Sequence, residues 1–459
     1  MHRVKPPFIG RVAELQGLSE AYEAPGGQLV LLYGRRRIGK TYLLQRFSER
    51  RRTIFYQATR QVEAEELADF TRLVEAAFGG LPPGYVFPNW ESALEYLEEK
   101  ARRGRLVVIL DEFPYLCDST PGLPSIIQRW WDRRGRTSQV KLVLCGSAQS
   151  FMTELEASSA PLHQRFTKRI ALGPLSYREA GEFAPGLAPS DRAIVYGILG
   201  GTPLYLNEWN ERDTVRENVL RLFGDPASML VDSARLVLHP DLGDGTASYR
   251  ALSAIANGAT RRNDILQKAR ITNERVLTRL EELKLVTKKV PITEGSDSRR
   301  GLFIVTDPYF RFWFRFVQPN VARIDRGFGE QLVDEVILHD LSDHMGPVFE
   351  DMARAFTGEL VARRRLAALD VGSWWSNDGQ SEIDIVGMGR KQPSFVGTVK
   401  WREAPLGWDV YNNLGQHARA LGVTEEIPWL MIGRGGTEKT VLSRAPQVQS
   451  FSVGDLYAR

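Results

Sequence analysis

Cysteine and histidine are scarce: two cysteines and six histidines in 459 residues. Cys117 and Cys145 both sit inside apolar runs, which excludes a disulfide framework and a cysteine-rich zinc module. The histidines are scattered, with no HxxxH or HExxH pair to hold a metal. No stretch approaches eighteen consecutive apolar residues, so no membrane span and no membrane partner are expected. The opening MHRVKPPFIGR lacks the apolar stretch of a secretory signal. Together with the cysteine usage, this gives a reducing, cytoplasmic setting as the expectation. An excess of one charge is missing too. The net charge is only +4, so any affinity for nucleic acid must come from a local patch. What is present is ordinary globular material: 43% hydrophobic and 25% charged residues, which excludes a disordered chain.

Four segments separate along the chain: residues 1–174, 175–237, 238–319 and 320–459. In the first, GQLVLLYG (27–34), RTIFYQA (52–58), RLVVILDEF (105–113) and VKLVLCGS (140–147) are short apolar runs divided by longer amphipathic stretches. Strands buried on both faces read this way, so an α/β core with a parallel sheet covered by helices is predicted. The second segment is helical and is broken at GGTPLYL (200–206).

Gly34-Arg35-Arg36-Arg37-Ile38-Gly39-Lys40-Thr41 matches GxxxxGK[ST], follows a strand pattern and opens a helix pattern. Such a loop turns backbone N–H groups and a helix N-terminus toward phosphate oxygens. Lys40 would neutralise the β- and γ-phosphates, and the Thr41 hydroxyl would ligate Mg²⁺. LVVILDEF ends in Asp111 and Glu112. Asp111 would hold the metal, and Glu112 would polarise the attacking water. Ser147 ends the next apolar run, where it could sense the γ-phosphate or serve as a simple turn residue. The expected cofactors are ATP/ADP and Mg²⁺. No guanine-reading NKxD segment is visible.

Phe8-Ile9-Gly10-Arg11 resembles the entry segment of AAA-type ATPases that packs on the adenine, which marks Arg11 as a nucleotide contact. Arg165, in PLHQRFTKR, lies where that superfamily often carries an arginine finger. FIGR, GRRRIGKT, LDEFPYL, the serine-ended strand, PLS before a helix, and GGTPLYL follow one another in that order. As a set they resemble the archaeal-type STAND/AAA-related P-loop ATPases. The resemblance implies a P-loop (ASCE/AAA-like) core over 1–174 and a helical lid over 175–237. Gly200, Gly201 and Pro203 would be lid contacts to nucleotide.

In the third segment, three helical patterns precede VTKKVPITEGSDSRRGLFIVTD, which reads as two strands around a turn, a winged helix-turn-helix. Residues 261–301 hold eleven Lys/Arg against six Asp/Glu. Arg261, Arg262, Arg275, Arg279, Lys288, Lys289, Arg299 and Arg300 are candidates for DNA phosphate contacts. Protein docking is the other use of such a module. In the fourth segment Glu350, Asp384 and Lys400 resemble the restriction-endonuclease-like (PD-D/ExK) pattern. Thr398 stands where that pattern carries an acidic residue, and threonine is a poor Mg²⁺ ligand. Cleavage is therefore expected to be impaired.

The predicted function is a Mg²⁺-dependent ATPase, a switch or motor coupled to DNA through the winged helix and a nuclease-like domain. The alternatives are an ATP-gated endonuclease, or a nucleotide-holding DNA-binding regulator with little turnover. ATP and DNA are the expected partners. An arginine finger acting from a neighbour would add a homo-oligomer or a protein partner.

Overall fold

The computed structural model describes residues 8–243 and 245–458. It divides into two compact units. One runs to Pro174 and takes in His239–Asp241; the other holds Leu175–Leu238 and the chain from Leu242 onward.

The first unit is built on five strands: β1 (Gln28–Tyr33), β2 (Thr53–Gln57), β3 (Leu106–Asp111), β4 (Val140–Gly146) and β5 (Lys168–Ala171). All pairings are parallel, and the strand order is β2-β3-β4-β1-β5. The alternation of side chains in a strand explains the apolar runs. On β3, Leu106, Val108 and Leu110 enter one core, while Val107 and Ile109 enter the core on the opposite face. On β4, Leu142 and Leu144 divide from Val143 and Cys145 in the same way. Burying each such side chain contributes roughly 1.5–3 kcal/mol, so both faces of the sheet must be covered by helices. Helices Glu63–Phe78, Trp90–Ala101 and Leu123–Arg133 supply one cover. Helices Val12–Glu23 and Lys40–Ser48 supply the other. Because β4 separates β1 from β3, the turns that follow these three strands emerge side by side at the carboxyl edge of the sheet. That edge is where ligands bind in open α/β sheets.

The second unit begins with helices, among them Tyr177–Gly181 and Pro189–Leu199. Ser176 and Glu179 form a capping box at the start of the first of these. Helices Thr246–Ala256, Arg262–Ala269 and Arg275–Glu282 are followed by an antiparallel pair, β6 (Val286–Lys289) and β7 (Leu302–Val305). A 25-residue helix, Leu338–Ala362, leads into a second sheet. Its strands are β8 (Asp370–Trp375), β9 (Glu382–Met388), β10 (Pro393–Lys400), β11 (Trp429–Gly433) and β12 (Val448–Ser452), in the order β12-β11-β10-β9-β8. β8, β9 and β10 are antiparallel neighbours, whereas β10, β11 and β12 run parallel. No helix among the described residues is long and apolar enough to cross a membrane.

Candidate nucleotide site

The glycine loop leaves β1 at Gly34, which lies so close to the chain after β5 that a Cβ there would sit 2.4 Å from the Leu172 carbonyl oxygen. A larger residue would push the loop off that backbone. Gly39 takes φ 95°, a conformation that favours glycine, and starts the helix Lys40–Ser48. Arg37 is also left-handed, at φ 69°.

Within this loop, the buried Lys40 donates from Nζ to the Gly34 carbonyl (2.9 Å) and the Arg35 carbonyl (3.1 Å). Burial pushes its ammonium below the ordinary lysine value, against the pull of Glu112 and Asp111. Thr41 Oγ1 donates to Asp111 Oδ2 at 2.7 Å. Asp111 is fully buried at the end of β3. The Cys145 thiol on β4 also contacts it, and burial raises that thiol well above its usual value.

Glu112 follows with φ 54° and stands at the N-cap of the helix Phe113–Ser119, yet its side chain makes no capping bond. Its Oε2 accepts from Ser147 Oγ at 2.9 Å. A non-glycine residue held at positive φ costs on the order of 1–3 kcal/mol and persists where surrounding structure imposes it. Here it turns the carboxylate toward the end of β4.

Arg11 is buried; its guanidinium donates to the carbonyls of Ile38 (3.1 Å) and Gly173 (2.7 Å) and pairs with Glu14 (3.2 Å). It ties the loop to the chain beyond β5, a positioning role that spacing alone does not reveal. Arg36 donates to the Tyr115 hydroxyl (2.7 Å), and the Arg60 guanidinium lies 5.0 Å from the centre of the same ring. Neither Tyr115 nor Arg60 was singled out from sequence; only a tyrosine three residues past Glu112 hinted at the pair. Arg165 is engaged by Asp132 at 2.7 Å and by the Pro161 and His163 carbonyls. Pro203 begins the four-residue helix Pro203–Leu206 in the other compact unit.

In the second unit Glu350, Asp384 and Lys400 lie near one another. Asp384 Oδ2 accepts from Lys400 Nζ (3.2 Å), Thr398 Oγ1 (3.0 Å) and the Val399 amide (2.7 Å). Glu350 is close enough that burial and Asp384 together push its carboxyl up to about 7. Glu382 is raised for the same two reasons. Sequence reasoning passed over Asp351, which holds Lys289 of β6 (2.7 Å), Arg311 (3.1 Å) and Arg354 (2.8 Å). These cations, Lys289 first, hold the Asp351 carboxyl far below the carboxylate range despite its burial. Among the described residues no group of three or more His, Cys, Asp or Glu is arranged to hold a metal ion.

Residues 8–209 match the family of ATPase domains found predominantly in Archaea. This region is similar to that family. Residues 313–411 match a second family, archaeal and bacterial proteins of unknown function. An uncharacterised protein of Methanocaldococcus jannaschii is 29% identical over 409 residues, spanning 86% of this chain and 88% of that one. An uncharacterised ATP-binding protein of the same organism is 40% identical over 45 residues, 10% of this chain and 76% of that protein. Among solved structures, a Walker-type ATPase of Pyrococcus abyssi aligns at 18% identity over 67% of this chain and 96% of that chain, with a TM-score of 0.49. The ATPase-domain match takes in the five-stranded sheet and continues to residue 209, and the glycine loop and acidic pair sit at one edge of that sheet.

Proposed function

We propose that the ATPase domain binds and hydrolyses ATP with Mg²⁺, and that the second unit couples this cycle to DNA. The contact that carries the reading is Thr41 Oγ1 to Asp111 Oδ2, 2.7 Å. A hydroxyl and a single carboxylate are the sparse, hard-oxygen set that suits Mg²⁺, which keeps several waters and takes its remaining ligands from phosphate. Thr41 and Asp111 would hold the ion, which supplies positive charge against the phosphate oxygens.

The chain's own residues do the rest. Lys40 exchanges two loop carbonyls for phosphate oxygens, so its charge is already in place when nucleotide arrives. Glu112 orients water for in-line attack and accepts its proton. Ser147 fixes the Glu112 carboxylate and is placed to report the occupancy of that position. Arg165 acts on the phosphates only if its pairing with Asp132 is released. Gly200, Gly201 and Pro203 would act as a lid over the nucleotide. Turnover measured for the whole chain, with Lys40→Ala as the blank, tests this reading; an unaltered rate in that variant refutes it.

For the second unit, three helices and the β6–β7 hairpin support a winged helix that contacts DNA through its basic residues. The helix Leu338–Ala362 and the sheet β8–β12 support a nuclease-like domain that does not cleave. Thr398 donates to Asp384 where a second metal-binding carboxylate would be needed, and Lys289 stands beside the cluster as a tethered cation. Plasmid incubated with the protein and Mg²⁺ or Mn²⁺ should stay intact. Nicking that disappears in Lys400→Ala would overturn this part.

A further inference from the structure

The second unit contains a cleft of about 860 Å³ that is separate from the carboxylate cluster. Arg261 and Arg262 line it at the start of the helix Arg262–Ala269; Arg299 and Arg300 line it from the chain before β7; Trp375–Asn377 line it at the end of β8. With Lys288, five cations face three carboxylates there.

The cations are not equally committed. Arg262 pairs with Glu274 (2.7 Å). Arg300 pairs with Glu294 and donates to the Trp375 carbonyl. Lys288 donates to the Ser296 carbonyl (2.9 Å). Arg261 and Arg299 are exposed, and their guanidinium groups have no hydrogen-bond or ion-pair partner among the described residues. Two guanidinium groups without a side-chain partner, lining one cleft, offer paired donors to an anion with more than one charge.

Size and lining narrow the anion. A sphere of the cleft's volume is about 12 Å across, within the usual range for a single bound ligand. The major groove of a duplex is about 12 Å wide by itself, so a duplex does not enter. Phe303 and Trp375 line the cleft but are buried, which leaves no exposed ring for a base to stack on. We infer that this cleft grips the sugar–phosphate backbone of a short single-stranded nucleic-acid segment, through Arg261 and Arg299, with little dependence on base sequence. The inference rests on the reading that this unit binds nucleic acid, and it replaces a duplex in the cleft with a strand.

Fluorescence anisotropy of the full chain, with a labelled oligothymidylate strand and with a blunt duplex of equal length, tests it. The double variant Arg261→Ala/Arg299→Ala should weaken strand binding at least tenfold. It should also lower the salt slope by about 1.4, at about 0.7 per phosphate contact on a single strand. Duplex affinity should change little, and Arg323→Ala/Arg390→Ala, two exposed arginines that do not line the cleft, should leave both unchanged. If the cleft variant leaves strand binding intact while Arg275→Ala/Arg279→Ala abolishes duplex binding, the cleft assignment fails and the nucleic-acid reading stands. If neither probe binds, both fail. A free dinucleotide that displaces the strand at equal nucleotide concentration would assign the cleft to a small phosphorylated ligand and overturn the polymer.

Discussion

Replacing Glu112 by glutamine isolates chemistry from binding. Glutamine keeps the shape of the side chain and can still accept the Ser147 hydroxyl, whose oxygen lies 2.9 Å from the native carboxylate. It can also keep the left-handed backbone at 112, because no side-chain cap depends on the carboxylate. What it loses is one negative charge and the capacity to take a proton. A positioned general base contributes about 10²–10⁴ in rate, so kcat should fall by that factor, about 3–5 kcal/mol on the barrier. Affinity for ATP should stay within about threefold, because Lys40 and Thr41 are untouched. Phosphate release at saturating ATP gives the first number and titration calorimetry the second. Wild-type turnover in Glu112→Gln would refute the assignment and return this residue to a role in the turn. A large loss of binding would show that the substitution damaged the loop instead.

Gly34→Ala should destabilise the first unit by about 1–3 kcal/mol and weaken nucleotide binding, since its Cβ would meet the Leu172 carbonyl at 2.4 Å; thermal melts with and without ATP check both effects. Ser147→Ala should lower kcat with little change in ATP affinity, because only the orientation of Glu112 is lost; equal losses in kcat and affinity would contradict that. The buried His344, whose Nε2 donates to the Gly197 carbonyl (2.8 Å), has its pKa pushed down by burial to about 3. It is neutral when folded and takes a proton when unfolded, so its contribution is full above about 6.5 and falls as pH drops below that. By pH 5 the loss is about 2 kcal/mol, and wild type should melt with a steeper pH dependence than His344→Gln in that window.

The first sheet and the nucleotide site were legible because their signals are local. A strand buried on both faces is a continuous apolar run, as in 106–110, and the loop chemistry needs glycine, lysine and threonine at fixed spacing. Ser147 could be placed at a strand end from sequence, but its contact with Glu112 depends on β4 lying next to β3. The fate of Arg11 was hidden for a similar reason: its carbonyl partners lie 27 and 162 residues away. The second sheet was half seen. The runs EIDIVGM and SFVGTVKW, which carry Asp384 and Lys400, have the apolar content of strands, whereas DVGSWW, WLMIG and VQSFS are short and lack clear alternation. The helix that carries Glu350 begins at Leu338 and holds Pro347 within it, a residue that normally signals a break. Asp351 was overlooked beside Glu350 because adjacent helix residues point to different partners.

Calorimetric titration of the purified chain with ATP tests the central claim most directly. The prediction is one nucleotide bound per chain, weaker binding when magnesium is chelated, and loss of binding in Lys40→Ala. Absence of heat with ATP and magnesium, confirmed by a second binding method, would contradict the account.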